Sequence, residues 1–170
     1  MNNKPARYHP ALVSLHWLLA LLIVLALGIG TFSLKEMSNA SPDKIGALRG
    51  HMIMGFVIGS LMLVRLVTRV RTTLPAPVSA GHALLDKLGR SVHIGFYLAV
   101  FVMAASGAAT AFQAGLPEIV FGGNARPLPE SFAGLLPRAV HGWMAKLLAV
   151  MVAAHLIGAL FHQLGLKDRL

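Results

Sequence analysis

The sequence contains no cysteine, few acidic residues and little charge of either sign. The absence of cysteine excludes disulfide bonds, thiolate zinc sites, iron–sulfur clusters and the attachment motif of c-type haem. Only 12% of the residues are charged whereas 56% are hydrophobic, which excludes an ordinary soluble domain. The net charge of +9 is compatible with nucleic-acid binding, but the basic residues flank apolar segments, as they do in membrane proteins. We therefore expect a membrane protein with no nucleic-acid partner, in which histidine, methionine or carboxylate must supply any metal ligands.

Long apolar segments define the fold class. Segments of about 20 residues or longer are able to cross a lipid bilayer. The four segments of this kind are Ala11–Phe32, Arg49–Val70, Ser91–Phe112 and Arg138–Leu164. Because the connections between them are short, residues 1–170 are predicted to form one all-α domain, a four-transmembrane-helix up-down-up-down bundle surrounded by lipid.

The basic residues predict the orientation of the bundle. The two termini and the connection between the second and third spans carry Lys4, Arg7, Arg65, Arg69, Arg71, Lys87, Arg90, Lys167 and Arg169. Only Asp86 and Asp168 oppose them on that side. The positive-inside rule therefore predicts a multi-pass protein with both termini in the cytoplasm.

Histidines lie at two depths within the predicted spans. His141 and His155 are 14 residues apart in the last span. At about 100° and 1.5 Å per residue, they point to one side of the helix and lie about 21 Å apart along its axis. By depth, His51 and His141 form an outer pair, and an inner set comprises His16, His93 and His155.

The number of histidines at one depth indicates which metal they would bind. Two imidazoles facing each other at one depth match the two axial positions of low-spin haem iron, whereas zinc takes three or four converging ligands. Hydrogen-bonded packing is the alternative for each histidine taken alone. Intramembrane histidines are costly and usually functional, which favours metal binding for the set.

Other residues in the spans are compatible with a flat, anionic cofactor. Gly55 and Gly59 provide room on the helix that carries His51, although small residues also allow helices to approach closely. Arg65 and Arg69 are candidate partners for haem propionates, with snorkelling to the interface as the alternative. Lys146 has no carboxylate near it in sequence. Three roles are open for it: pairing with a haem propionate, attracting a small anion, or extending its ammonium group to the membrane interface.

The order of these motifs resembles that of the bacterial cytochrome b561 family over nearly the whole chain. The matching residues are Ser14-x-His16-Trp17-Leu18, His51, Arg65-x-x-x-Arg69, His93-x-x-x-Tyr97 and the run His141, His155, His162, Lys167-Asp168. The resemblance implies an inner-membrane cytochrome with two b haems that oxidises superoxide outside and reduces ubiquinone.

The same resemblance implies roles for individual residues. His51 and His141 would hold the outer haem iron, and His16 and His155 the inner one, with His93 as a rival inner ligand. His162 and Lys167 match positions at the quinone end.

Basic residues on the outer side are candidates for attracting the superoxide anion. They are Arg49, Arg138 and Lys146, together with Arg126 or Lys44.

Two other functions remain open at this point. The chain could be an electron-transfer subunit that links a soluble dehydrogenase or hydrogenase to the quinone pool. It could also be a metal-ion transporter, although the four spans contain no Asp or Glu.

Overall fold

The computed structural model describes residues 5–76, 83–123 and 126–166. Within these ranges the regular elements are helices. They are α1 (Pro10–Gly28) with a wider π-helical continuation (Ile29–Leu34), α2 (Asp43–Arg71), α3 (Ala83–Gln113), α4 (Leu116–Phe121), and α5 (Leu136–Leu160) with a π-helical continuation (Phe161–Leu166). The four long helices are apolar enough to cross a membrane, which confirms the predicted fold class.

Local sequence explains where the helices begin and end. Pro10 occupies the first turn of α1, where its missing N–H costs nothing, and the His9 side chain accepts a hydrogen bond from the Ala11 amide. Asp43 in the first turn of α2 and the basic residues of its last turn both complement the helix dipole. Gly115 adopts a left-handed φ of 66°, which allows the sharp bend between α3 and α4.

Some helices extend beyond the predicted spans. The second helix starts at Asp43 rather than Arg49. The third helix starts at Ala83, but the part of it that is apolar enough to cross a membrane starts at Ser91, as predicted. The short helix α4 lies in a connection for which no helix was predicted.

The four long helices form two packed pairs. α1 packs mainly on α2, α5 packs mainly on α3, and α2 and α3 join the two pairs. Histidine contacts give the helix directions: His16 near the start of α1 meets His155 near the end of α5, whereas His51 near the start of α2 meets His141 near the start of α5. The bundle therefore runs up-down-up-down. We call the boundary between the α1–α2 pair and the α3–α5 pair the seam.

The buried core lies between the two histidine levels. All four long helices contribute to one cluster, which contains Leu19, Ile23, Ile58, Met62, Ala99, Val100 and Leu148. Many other large apolar side chains are exposed, among them Trp17, Phe56 and Val150. On helices of this length and hydropathy such side chains face lipid, so the protein needs only a small internal core.

A second apolar cluster covers one end of the bundle, and we call this structure the cap. Its buried residues are Ala111, Leu116, Ile119, Val120 and Leu128, with Ile45, Leu48, Met52, Ala114 and Phe132 packed against them. Arg49 on α2 donates from Nε and Nη2 to the Val120 carbonyl, at 2.9 and 2.6 Å. The Asn39 side chain donates to the Pro129 carbonyl at 2.7 Å. These bonds join both connections at this end into one unit.

Lys44 is buried beside the cap and is used structurally. Its ammonium group donates hydrogen bonds to the carbonyls of Leu34 and Met37, just where the helix of α1 and its continuation ends. Carbonyls at a helix end lack intrahelical partners, so this contact satisfies acceptors that burial would leave unpaired. Lys44 therefore has a structural role, and its candidate role in attracting superoxide stays a prediction.

We expect Lys44→Met to destabilise the fold, because two carbonyl acceptors lose their donor. The expected loss is about 1–3 kcal/mol in the free energy of unfolding, measured by chemical denaturation in detergent. The matched control is Lys35→Met, which removes an exposed lysine with only a 3.9 Å contact to Glu36 and should change stability by less than about 0.5 kcal/mol. Equal effects of the two substitutions would contradict a structural role for Lys44.

Candidate functional site

His51 and His141 form a close pair at the cap end of the bundle. Their ring centroids are 6.2 Å apart and the ring planes make an angle of 81°. Both side chains are half-buried. The two residues that were predicted from their depth to face each other are therefore brought together across the seam between α2 and α5.

The protein orients the His141 ring through its Nδ1 atom. Nδ1 lies 3.0 Å from the Met103 carbonyl on α3, so Nδ1 carries the hydrogen and donates it. Ser106 Oγ lies 3.4 Å from the same nitrogen and also donates to the Met103 carbonyl. This tautomer leaves Nε2 with a free lone pair, which is the arrangement that metal-binding histidines use.

Two glycines give these rings their room. A Cβ atom added to Gly107 on α3 would lie 3.0 Å from His141 Cε1, and one added to Gly30 would lie 3.4 Å from His51 Cε1. Gly59 instead faces Ala104, which fits the helix-packing alternative, and Gly55 has no neighbour within 4 Å. Burial also leaves His51 Nδ1 without a hydrogen-bond partner among the described residues.

A second group of histidines surrounds His155 at the opposite end, which we call the termini end. The His16 and His155 ring centroids are 6.2 Å apart, with an angle of 76° between the planes. His93 lies at 5.8 Å from His155, and Phe96 packs on the same ring at 5.5 Å. The geometry thus brings both rival partners against His155. They differ in exposure, since His16 is half-buried whereas His93 is exposed.

The basic residues at the cap end have different surroundings. Arg138 lies one turn before His141 and is half-buried, and its Nη1 atom lies 3.3 Å from the position of a Cβ added to Gly142. Arg49 is held by the Val120 carbonyl, and exposed Arg126 pairs with Glu118 at 3.6 Å. Lys146 lies on the face of α5 that points away from the bundle, and its Nζ atom is 4.5 Å from the centre of the Trp143 ring.

At the termini end the two arginines of α2 also differ. Arg65 donates to the Leu12 carbonyl at 2.6 Å and so ties α2 to the first turn of α1. Arg69 lines a groove with His93 between α2 and α3. The side chain of His162 and the whole of Lys167 lie outside the described residues.

Comparison with known proteins identifies the family. The prokaryotic cytochrome b561 family matches residues 7–170. The chain belongs to this family. It is also similar to cytochrome b561 homolog 2 of Escherichia coli strain K12, with 26% identity over 175 aligned residues that cover 98% of this chain and 90% of the relative. The protein is therefore a membrane cytochrome that binds haem b and transfers electrons.

The paired histidines fit the cofactor of the cytochrome b561 family. Metal–imidazole bonds of about 2.0–2.1 Å on each side, plus the radius of each ring, separate two ring centroids by roughly 6 Å. Both His51–His141 and His16–His155 have this separation. Among the described residues, no three His, Asp or Glu side chains are grouped to hold a metal ion. The two imidazoles of each pair are the residues that would hold a haem iron.

Sequence reasoning missed the residues of α3 that support the cap-end pair. Gly107 and the Met103 carbonyl touch His141 although α3 has no histidine at that depth. The available signal was a run of small residues, Ala104–Ala109, opposite His141 in the predicted bundle. A main-chain acceptor such as Met103 carries no signal in its residue type.

We expect Gly107→Ala to reduce haem b binding in this cytochrome, because the new methyl group would press on the His141 ring at 3.0 Å. The measurement is haem content per protein together with the reduced-minus-oxidised visible spectrum. Gly46→Ala on α2 is the matched control, since no atom lies within 4 Å of its added Cβ and alanine favours a helix by up to about 1 kcal/mol. Unchanged haem content and spectrum in Gly107→Ala would contradict the proposed crowding.

Proposed function

We propose that this cytochrome takes electrons from superoxide at the cap end and delivers them to ubiquinone at the termini end. The observation that carries the proposal is the presence of two histidine pairs of equal spacing at the two ends of one bundle. His141 and His155 lie on the same helix, so α5 links the two levels across the membrane. When bound, two b haems supply one-electron carriers that no side chain of the protein provides.

The proposed ligands are His51 and His141 for the cap-end haem, and His16 and His155 for the other. Both His16, at 6.2 Å, and His93, at 5.8 Å, have ring centroids at a separation from His155 that suits this role. The proposal prefers His16 because its side chain is half-buried, whereas His93 is exposed and lines a groove.

The proposed orientation places the cap outside the cell and both termini in the cytoplasm of a bacterium. The excess of Lys and Arg at the termini end supports this direction. Quinone reduction is assigned to that end, as the family resemblance of His162 and Lys167 implies. Two superoxide anions give two molecules of O2 and two electrons, and one ubiquinone takes those electrons with two protons to form the quinol.

Charge at the cap end supports an anionic donor. Arg138 is half-buried one turn from His141, whereas Arg49 is bonded to the cap and Lys146 lies over Trp143. We therefore assign the attraction of superoxide chiefly to Arg138. A positive charge near the site raises the local concentration of an anion and its association rate.

Single histidine substitutions test the ligand assignment. We expect His51→Ala and His141→Ala to lose one haem, and His16→Ala and His155→Ala to lose the other, because each haem iron would be held by both histidines of its pair. His93→Ala should keep both haems and serves as the matched control within the same histidine group. Haem content and the visible spectrum are the measurements. Full haem content in His155→Ala, or loss of a haem in His93→Ala, would contradict the inner assignment.

Reduction of the purified cytochrome by superoxide tests the proposed donor. We expect superoxide to reduce the haems at a rate that falls with added salt, and superoxide dismutase to abolish the reaction. Arg138→Gln should slow it by about tenfold or more at low ionic strength, because steering by charge contributes 10- to 1,000-fold to association rates, as a rough range. Arg126→Gln is the control, because Arg126 is exposed and paired with Glu118.

The same experiment separates this function from the alternative. No reduction by superoxide, together with copurification of a soluble dehydrogenase or hydrogenase, would identify the chain as the electron-transfer subunit of that partner.

A further inference from the structure

Two hydroxyl side chains are buried on the membrane-spanning part of α3, one helical turn apart. Ser106 is 7% exposed and Thr110 is 8% exposed. Each donates a hydrogen bond back to its own helix: Thr110 Oγ1 to the Ser106 carbonyl at 2.8 Å, and Ser106 Oγ to the Met103 carbonyl at 3.0 Å. Such bonds satisfy a polar side chain inside a membrane helix, so by themselves they indicate only packing.

Ser106 differs from Thr110 because a histidine shares its acceptor. The Met103 carbonyl also accepts the Nδ1 hydrogen of His141 at 3.0 Å, and the regular bonding of the α-helix adds the Gly107 amide. A carbonyl oxygen has two lone pairs, so three donors compete for this one. Each donor therefore weakens the bonds that the other two make to Met103.

The bond at His141 Nδ1 controls how strongly the other ring nitrogen can donate to a metal. A stronger acceptor at Nδ1 increases the electron density on Nε2, and a histidine that donates more strongly favours the oxidised state of an iron bound to it. Burial makes a change in such a bond larger than it would be in water. His51 has no comparable bond, since its Nδ1 atom is buried without a hydrogen-bond partner among the described residues. The protein therefore adjusts the cap-end pair through His141.

We propose that Ser106 is a positioning residue that raises the reduction potential of the cap-end haem. The inference rests on the proposed function, in which His141 is a ligand of that haem. Because the Ser106 hydroxyl donates to the Met103 carbonyl, that carbonyl holds the His141 hydrogen less strongly and Nε2 gains less electron density. A higher potential favours the entry of electrons at this end, where one superoxide anion becomes O2 as one ferric iron becomes ferrous.

The sign of the effect distinguishes this role from two simpler ones. If Ser106 only satisfies its own hydroxyl, its removal changes stability and leaves the haem potential as it was. If the hydroxyl instead anchors the ring directly, across the 3.4 Å to His141 Nδ1, its removal leaves a weaker ligand and raises the potential. Competition for the Met103 carbonyl predicts the opposite direction, a lower potential when the hydroxyl is removed.

Redox titration of the haem-loaded Ser106→Ala variant with chemical mediators tests the proposal. We expect the cap-end component, which is the one that His141→Ala lacks, to become harder to reduce. The expected change is about three- to tenfold in its ratio of oxidised to reduced haem at a fixed potential, the range of one hydrogen bond, or about 30–60 mV for one electron. The other component should keep its potential. An unchanged or raised cap-end potential, or an equal shift of both components, would overturn the proposal.

Three further variants separate the hydroxyl from the packing of α3. Ser106→Thr keeps the hydroxyl and should keep the wild-type potential. Ser106→Cys carries a weak donor of similar size, so it should shift the cap-end component in the same direction by less, and it provides the measurement if Ser106→Ala retains too little haem. Thr110→Val is the matched control, since the buried hydroxyl that it removes donates to the Ser106 carbonyl and not to Met103. A shift in Thr110→Val as large as that in Ser106→Ala would contradict the role of the shared carbonyl.

The outcome is separable from that of the experiments on the proposed function. The titration uses mediators and no superoxide, so it does not depend on the identity of the donor. Wild-type potentials in Ser106→Ala, together with loss of a haem in His141→Ala, would retain the proposed ligands and refute the role of Ser106. Full haem content in His141→Ala would refute the ligand assignment itself.

Discussion

The seam between the α1–α2 pair and the α3–α5 pair is the constraint on which the rest of the structure depends. Two histidine pairs face each other across it, and each keeps its ring centroids 6.2 Å apart. Helices that must leave space for a cofactor cannot bury much surface against each other at those levels. The shared core is consequently confined to the short region between the pairs, around Leu19, Ile58 and Leu148.

A small core makes the helix ends important for stability. The cap joins the two connections at one end through main-chain acceptors. Arg49 binds the Val120 carbonyl and Asn39 binds the Pro129 carbonyl. Lys44 binds the carbonyls of Leu34 and Met37, which follow α1. At the other end Arg65 binds the Leu12 carbonyl. Several basic side chains that a count of charges would assign to attracting an anionic substrate thus hold the helices in position instead. This leaves Arg138 as the basic group most directly associated with the cap-end histidines.

The sequence predicts those features that depend on periodicity and depth. Helical rise places His51 level with His141, and the 14-residue repeat places His155 on the same side of α5, so both levels follow from spacing alone. Contacts to main-chain atoms do not follow from it. The contacts of Lys44, Met103 and α4 were missed because their partners are carbonyls, a histidine ring or apolar surfaces without a residue-type signature. The sequence analysis allowed several orientations for the Lys146 side chain and did not identify the Trp143 ring as its neighbour.

The two ends of the bundle differ in the kind of molecule that can reach them. The cap end is covered by packed connections and presents Arg138 near its histidines, which suits a small anion arriving from water. The termini end has a groove between α2 and α3 that opens to lipid through exposed apolar residues such as Val70, Ile94 and Leu98. The proposed acceptor, a quinone dissolved in the membrane, would reach this end without crossing an aqueous interface. The difference between the two ends is therefore compatible with the proposed direction of transfer, from an aqueous donor at the cap end to a lipid-soluble acceptor at the termini end.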